Sequence, residues 1–409
     1  MRGEVVAIEM RKLPEGWRCS TLGEECEINP RRSKDLEAND DTETSFVPME
    51  VVDGDRGIIS EIRIVPFSKV KKGYTYFEEN DVLFAKITPC MQNKKSAIAK
   101  GLIGGYGFGT TEFHVLRCNE RVIPKWIYYF IRNQRFIDEA ENNFTGAVGQ
   151  QRVPASFLGN YPIIVPPIIE QQKIVEKLDK QMAQIEIIKR EVEKQNEAAK
   201  QFYHSQLNEY FHNNKEKFKK YRFVNLFEIE MGQSPPGTSY NKNNEGIPLL
   251  NGPTEFGRVH PIPIQWTTLP KKICNVGDVL LCVRGNTTGK TNKADQEYCI
   301  GRGIAAIRPK NSIIQTSIIT HIVEFITEEL LRRSPGSAFP NLTGITLSNF
   351  EIYLPTSEKE INRLSNIIDN IKIRHDEILH QVNSQISAIN QLPNSILNEV
   401  FGQYQIQLT

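Results

Sequence analysis

The sequence repeats itself at long range. Leu207-Asn208-Glu209-Tyr210-Phe211 returns as Leu397-Asn398-Glu399-Val400-Phe401 after 190 residues, and Asp179 returns as Asp369 at the same shift. A period of that length in a chain of 409 residues implies two units built on one plan. The chain is also longer than one core usually serves, which favours the same division.

Further marks show how far the duplication reaches. Tyr161-Pro162-Ile163-Ile164-Val165-Pro166 has a partner in Phe350-Glu351-Ile352-Tyr353-Leu354-Pro355 at a shift of 189. Asp81-Val82-Leu83 matches Asp278-Val279-Leu280 at 197, and Trp17-Arg18 matches Tyr221-Arg222 at 204. The shift drifts early in each unit and locks late, as expected of a variable globular part followed by a helix of fixed length.

Within the globular parts, short apolar runs alternate with glycine turns. Phe113-His114-Val115-Leu116 after Gly104-Gly105-Tyr106-Gly107-Phe108-Gly109 is one case, and the pattern predicts strands with one or two helices. Pro124-Lys125-Trp126-Ile127-Tyr128-Tyr129-Phe130-Ile131 is expected to be such a helix, with proline in its first turn.

After Pro166-Pro167 the period changes. Ile174, Leu178, Gln181, Ile185, Ile188, Val192, Gln195, Ala199, Phe202 and Gln206 follow steps of four and three, a coiled-coil seam. Adding 190 gives a second seam through Leu364, Ile368, Ile371, His375, Ile378, Val382, Gln385, Ile389, Leu392 and Ile396. Each apolar stripe needs cover, and the other helix supplies it. At ~1.5 Å per residue, about 35 to 40 residues would make a rod of roughly 50 to 60 Å. Pro393 should kink or interrupt the second helix.

The expected fold class is therefore α+β. Two similar globular α/β-type domains, residues 1–167 and 214–356, are separated by two long antiparallel helices, 168–213 and 357–409. The helices form an intramolecular coiled coil, and the units are related by a pseudo-two-fold.

Composition narrows the function classes. No apolar run approaches the ~18 residues that span a bilayer, and the start carries no signal-like apolar segment, so a cytoplasmic protein is expected. The seven cysteines are scattered without a C-x-x-C pair, which disfavours zinc and disulfides. Fifty basic against 49 acidic residues give no global bias toward nucleic acid. Local runs differ: residues 215–222 hold five positive charges against one negative, and 69–100 and 284–310 are also basic.

Two pairs of loops stand out as candidate readers of DNA. The Asp81-Val82-Leu83 strand leads into a loop with Lys86, Thr88, Gln92, Asn93, Lys94 and Lys95; the Asp278-Val279-Leu280 strand leads into one with Arg284, Asn286, Thr288 and Lys290. Cations and amides are the donors and acceptors that phosphate and base-edge contacts use. A second pair precedes the proline-ended strands: residues 145–152, with Gln150, Gln151 and Arg152, and residues 336–341, with Asn341. Equivalent loops with unlike side chains suggest two different target sequences. Ordinary solvated turns are the competing reading of each loop.

Catalytic motifs fail on inspection. Gly285-Asn286-Thr287-Thr288-Gly289-Lys290-Thr291 is one residue short of a P-loop. Ser234-Pro235-Pro236-Gly237 ends in glycine where an amino-methyltransferase needs an aromatic residue to stack on a flipped base. No histidine, cysteine or carboxylate spacing predicts a metal site or a catalytic residue.

Together these residues resemble the specificity subunit of type I restriction-modification systems. The resemblance is carried by Leu13-Pro14-Glu15-Gly16-Trp17, by the Asp-Val-Leu strand with its Lys86 or Arg284 loop, and by Pro166-Pro167 followed by Glu170-Gln171-Gln172 and a long helix. It covers essentially the whole chain, with a looser second copy at Pro355-Thr356-Ser357-Glu358-Lys359-Glu360.

The resemblance implies two target recognition domains that read the halves of a split, asymmetric double-stranded DNA site, with the helices setting the gap. It implies no cofactor on this chain. S-adenosylmethionine is expected on two modification (methyltransferase) subunits, and ATP and magnesium on restriction (translocase and endonuclease) subunits, with no membrane partner. The competing readings are a fused methyltransferase or nuclease with a hidden active site, and a coiled-coil scaffold.

Overall fold

The computed structural model describes residues 13–32, 36, 38–147, 149–310, 316–332 and 341–402. The chain forms two compact units, Met1–Val192 with Gln385–Thr409, and Glu193–Ser384.

In the first unit, the strand Arg18–Thr21 enters antiparallel to Pro162–Val165, so the globular part opens and closes at one place. Thr21 then caps a short helix, Leu22–Glu25, reciprocally with Glu24. A four-stranded antiparallel sheet follows in the order Cys26–Ile28, Phe113–Cys118, Val82–Ala85, Ser96–Ile98. A second sheet runs Arg63–Pro66, Glu43–Val47, Tyr106–Gly109, Thr75–Glu78, and contains one parallel pair, in which Phe108 faces Phe46. Leu83, Phe77, Val47 and Phe113 pack between strands of the two sheets.

The helix Pro124–Phe130 forms with proline in its first turn, as expected, and buries Trp126 through Phe130. Its burial all round follows from its place: it packs on Val82, Phe84 and Leu116 of the first sheet and on Leu178 and Leu397 from the long helices.

The second unit repeats the plan. Lys219–Arg222 pairs antiparallel with Glu351–Leu354. Its antiparallel sheet runs Phe227–Met231, Ile304–Pro309, Val279–Cys282, Thr291–Lys293. Its other sheet again holds one parallel pair, in which Leu249 faces Cys299. The helix Thr316–Arg332 covers the core, through Ile319, Ile322 and Ile326.

The long helices span Ile168–Asn214 and Glu358–Gly402, 47 and 45 residues, longer than the seams alone suggested. Each unit contains part of both. In the first, Ile174, Leu178 and Met182 meet Ile396, Leu397, Val400 and Phe401. In the second, Tyr203, Leu207 and Phe211 meet Leu364, Ile368 and Ile371. The early half of one helix thus packs on the late half of the other, which is antiparallel pairing within each unit. The repeated Leu-Asn-Glu-x-Phe segments are the ends that dock on the globular cores: Phe401 lies 4.9 Å from the Trp126 ring, and Phe211 lies 4.7 Å from Phe325.

Two expectations about these helices are corrected. Leu178, Ile185, Val192 and Ala199 are buried as expected, but the positions between them are Met182, Lys189, Asn196 and Tyr203, one residue on. Ile188 is 45% exposed and Gln195 is exposed. Steps of four and three fit either choice, so apolar spacing alone does not decide it. Of the kink or interruption expected at Pro393, the interruption does not occur, since helix continues through it.

Candidate nucleic-acid interface

The motif that precedes each candidate loop is a structural lock. Asp81 accepts from Arg117 Nε at 2.9 Å and Nη2 at 2.8 Å, and from the Glu78 backbone N–H at 2.7 Å. Asp278 accepts from Arg308 Nη2 at 2.7 Å and from the Asn275 N–H at 2.8 Å. Each carboxylate closes the turn before its strand and ties it to the neighbouring strand, so the loop at the other end leaves from a fixed frame.

The two candidate loops of each unit, far apart in sequence, come together. Lys86 donates its N–H to the Glu112 carbonyl, while its own carbonyl accepts from Val153, both at 2.9 Å. The Thr88 N–H reaches the Gln151 carbonyl at 3.0 Å. Val283 in the second unit does the same: its N–H goes to Gly303 and its carbonyl accepts from Leu342, each at 2.9 Å. His114 braces the first junction from beneath. Buried at 4% exposure, it bonds the Val153 carbonyl through Nε2 at 2.8 Å, and its Nδ1 meets Asn29 at 3.0 Å. Burial pushes this imidazole below its ordinary pKa, which favours the neutral ring that donates through Nε2.

The fate of the candidate side chains varies. Gln92, Asn93 and Gln150 are exposed, and Lys86 and Gln151 are half-buried. Gln92 donates to Glu141 at 2.6 Å. Lys95 reaches the Met49 carbonyl at 2.9 Å. Lys94 turns inward to Asn394 at 2.6 Å, and burial together with Arg132 pushes its ammonium down to about 8. Thr88 Oγ1 is buried and has no hydrogen-bond partner among the described residues. Arg152 forks onto Glu112, with Nε at 2.9 Å and Nη2 at 2.8 Å.

In the second unit, Arg284, Asn286, Lys290 and Asn341 are exposed. Thr288 is spent on the turn, donating to the Gly285 carbonyl at 2.7 Å. Gly285 and Gly289 both have positive φ, 81° and 100°, which explains the two glycines better than a phosphate loop does. Val148 and the Gly336 to Pro340 part of the second loop lie outside the described residues.

Sequence reasoning missed the third loop of each cluster, the turn that leads into the central strand. It carries Glu112 in the first unit and an exposed Arg302 in the second, where the Arg302 N–H meets Ser234 Oγ at 3.3 Å. The Ser234-Pro235-Pro236-Gly237 segment is thus part of the same loop cluster. The signal was the turn before the strand that pairs with Asp-Val-Leu, visible only once that pairing is known.

A duplicated sheet frame presents unlike polar loops at equivalent strand ends. The family model for the type I restriction modification DNA specificity domain matches twice, over residues 14–197 and 215–398, and the chain belongs to that family. The type I restriction enzyme EcoEI specificity subunit of Escherichia coli is 43% identical over 173 residues, which is 42% of this chain and only 28% of that protein. The putative MjaX specificity subunit of Methanocaldococcus jannaschii is 27% identical over 397 residues, 90% of this chain and 91% of that one. A chain solved in work on complex assembly and conformational transition of the type I R-M system superposes with a TM-score of 0.77 at 26% identity, covering 95% and 98% of the two chains.

Proposed function

We propose that this chain is the DNA-reading specificity subunit of a type I restriction-modification enzyme. The observation that carries the reading is the paired loop cluster: the same backbone stitching at Lys86 and Val283, with different side chains mounted on it. Identical frames with unlike readers fit a bipartite, asymmetric site better than one palindrome. The long helices, each continuous from one unit into the next, are assigned the gap between half-sites.

Methylation and cleavage are assigned to partners, two modification subunits and the restriction subunits, which would bring S-adenosylmethionine, ATP and magnesium. No helix among the described residues is long and apolar enough to cross a membrane, which is compatible with action on DNA in the cytoplasm. The domain limits 1–167, 168–213, 214–356 and 357–409 are part of the same proposal.

Selection from randomised duplexes tests the reading. The expected product is two short, unlike motifs at a fixed separation. Recovery of no preferred sequence, or DNA methylation by the purified chain with S-adenosylmethionine alone, would overturn it.

A further inference from the structure

Arg152 is held more tightly than a surface arginine that only meets phosphate. Its backbone N–H and carbonyl both bond Thr145, at 2.8 and 3.0 Å, and the next residue, Val153, is stitched to Lys86. Its guanidinium has five N–H donors. Nε and one N–H of Nη2 are closed by the two oxygens of Glu112, and one N–H of Nη1 goes to the Gln150 carbonyl at 2.8 Å. One N–H on each Nη is left with no acceptor among the described residues, on a side chain that is 39% exposed.

Two N–H groups on adjacent nitrogens match two adjacent acceptors. In the major groove that pattern belongs to guanine, whose O6 and N7 lie side by side; adenine offers N7 beside a donor. A phosphate also has paired acceptors, but it carries a charge. Glu112 neutralises the guanidinium locally and would repel a phosphate placed against it, whereas it costs little beside an uncharged base edge. The Arg152 guanidinium in turn holds the Glu112 carboxyl below its usual range, so this lock stays ionised.

Resting on the DNA-reading function above, we propose that Arg152 reads a guanine in the half-site bound by the first unit. Glu112 is its positioning residue. The second unit has Gly303 at the equivalent point, beside exposed Arg302, so its cations lack this lock and the two half-sites are read by different chemistry.

The test uses the full chain and the duplex obtained by selection, with each guanine of the half-sites replaced in turn by 7-deazaguanine, which lacks the N7 acceptor. The native chain should lose about tenfold or more in affinity at one guanine. Arg152→Lys, which keeps the charge but not the fork, should bind the unmodified site more weakly and show no further loss at that guanine. Glu112→Ala should lose discrimination at the same position, while its affinity for the 7-deaza duplex matches or exceeds that of the native chain, because a negative charge has gone. A purely structural role for Glu112 would not separate those two readouts.

Equal 7-deaza losses in native and Arg152→Lys chains at every guanine would overturn the proposal, and so would the absence of any loss in the native chain. A lower salt slope for Arg152→Ala with unchanged base preference would reassign Arg152 to phosphate and overturn it too. If the native chain selects no sequence, the DNA-reading function itself fails and takes this inference with it.

Discussion

Arg117 grips Asp81 with two parallel hydrogen bonds, Nε to Oδ1 at 2.9 Å and Nη2 to Oδ2 at 2.8 Å. The pair is repeated by Arg308 and Asp278, but with one bond among the described residues, where Arg308 Nε is buried and finds no hydrogen-bond partner. Burial accordingly pushes the Asp278 carboxyl above its usual range, and the single Arg308 contact does not reverse it.

The two copies should therefore differ in worth. Arg117→Ala leaves a buried carboxylate uncompensated and should cost about 3 kcal/mol of stability. Arg308→Ala should cost less, because its single bond to Asp278 offsets less of the burial cost than the Arg117 fork does. Urea unfolding of the two variants checks this, and equal losses would show that fork geometry does not set the cost.

Exposed Arg284 and Lys290 are expected to contact DNA backbone. Their double alanine variant should bind more weakly and reduce the slope of log affinity against log salt by about two. Titration at several salt concentrations decides it; an unchanged slope removes both residues from the interface.

Acid should weaken the first unit in two windows. The folded pKa of His114 is depressed below 6.5, so as pH falls below that value the unfolded chain takes up a proton that the fold refuses, and stability declines. Glu25 acts lower. Burial alone would raise its pKa, but bonds from Arg18 and Ser20 and the charge of Arg121 outweigh this and hold it at about 2. Its contribution is present above the unfolded value of 4.5 and fades as pH falls toward 2. His114→Gln should flatten the stability loss between about pH 7 and 5.5, and Glu25→Gln should flatten only the loss below about pH 4.5.

Lengthening the first long helix tests its role as spacer. Four residues inserted between Gln195 and Ala199 add about one turn, roughly 6 Å, and should widen the gap accepted between half-sites. Repeating the duplex selection with this variant reads the gap directly, and retention of the native gap would defeat the assignment.

Much of this plan was legible because the duplicated marks are frame residues. Gly16 and Trp17 sit against the start of the first long helix, where the Trp17 indole donates to Glu170 at 2.5 Å and a Cβ on Gly16 would lie 3.0 Å from Pro167. Gln171 is fully buried and bonds Ile123, Arg121 and Pro166, which explains the first glutamine of the Glu-Gln-Gln run. The looser second copy begins its helix with Ser357, whose hydroxyl accepts from the Glu360 N–H and donates to the Glu360 carboxylate, with Ile361 buried where the first copy has Gln171.

Legibility ended where side chains choose among partners. Lys94 and Asn93 are neighbours with equal claims in sequence, yet one turns inward to Asn394 and the other stays exposed. Glu112 went unnoticed because its meaning depends on Arg152, 40 residues away.

The strand Val82–Ala85 has only four residues, with the Asp81 anchor before it and the Lys86 loop after it. Stability is vested at one end, and the proposed discrimination is assigned to the other. Mutational drift in the loop can therefore explore new binding preferences without disturbing the anchor, and such a scaffold can diversify its targets while its architecture stays constant.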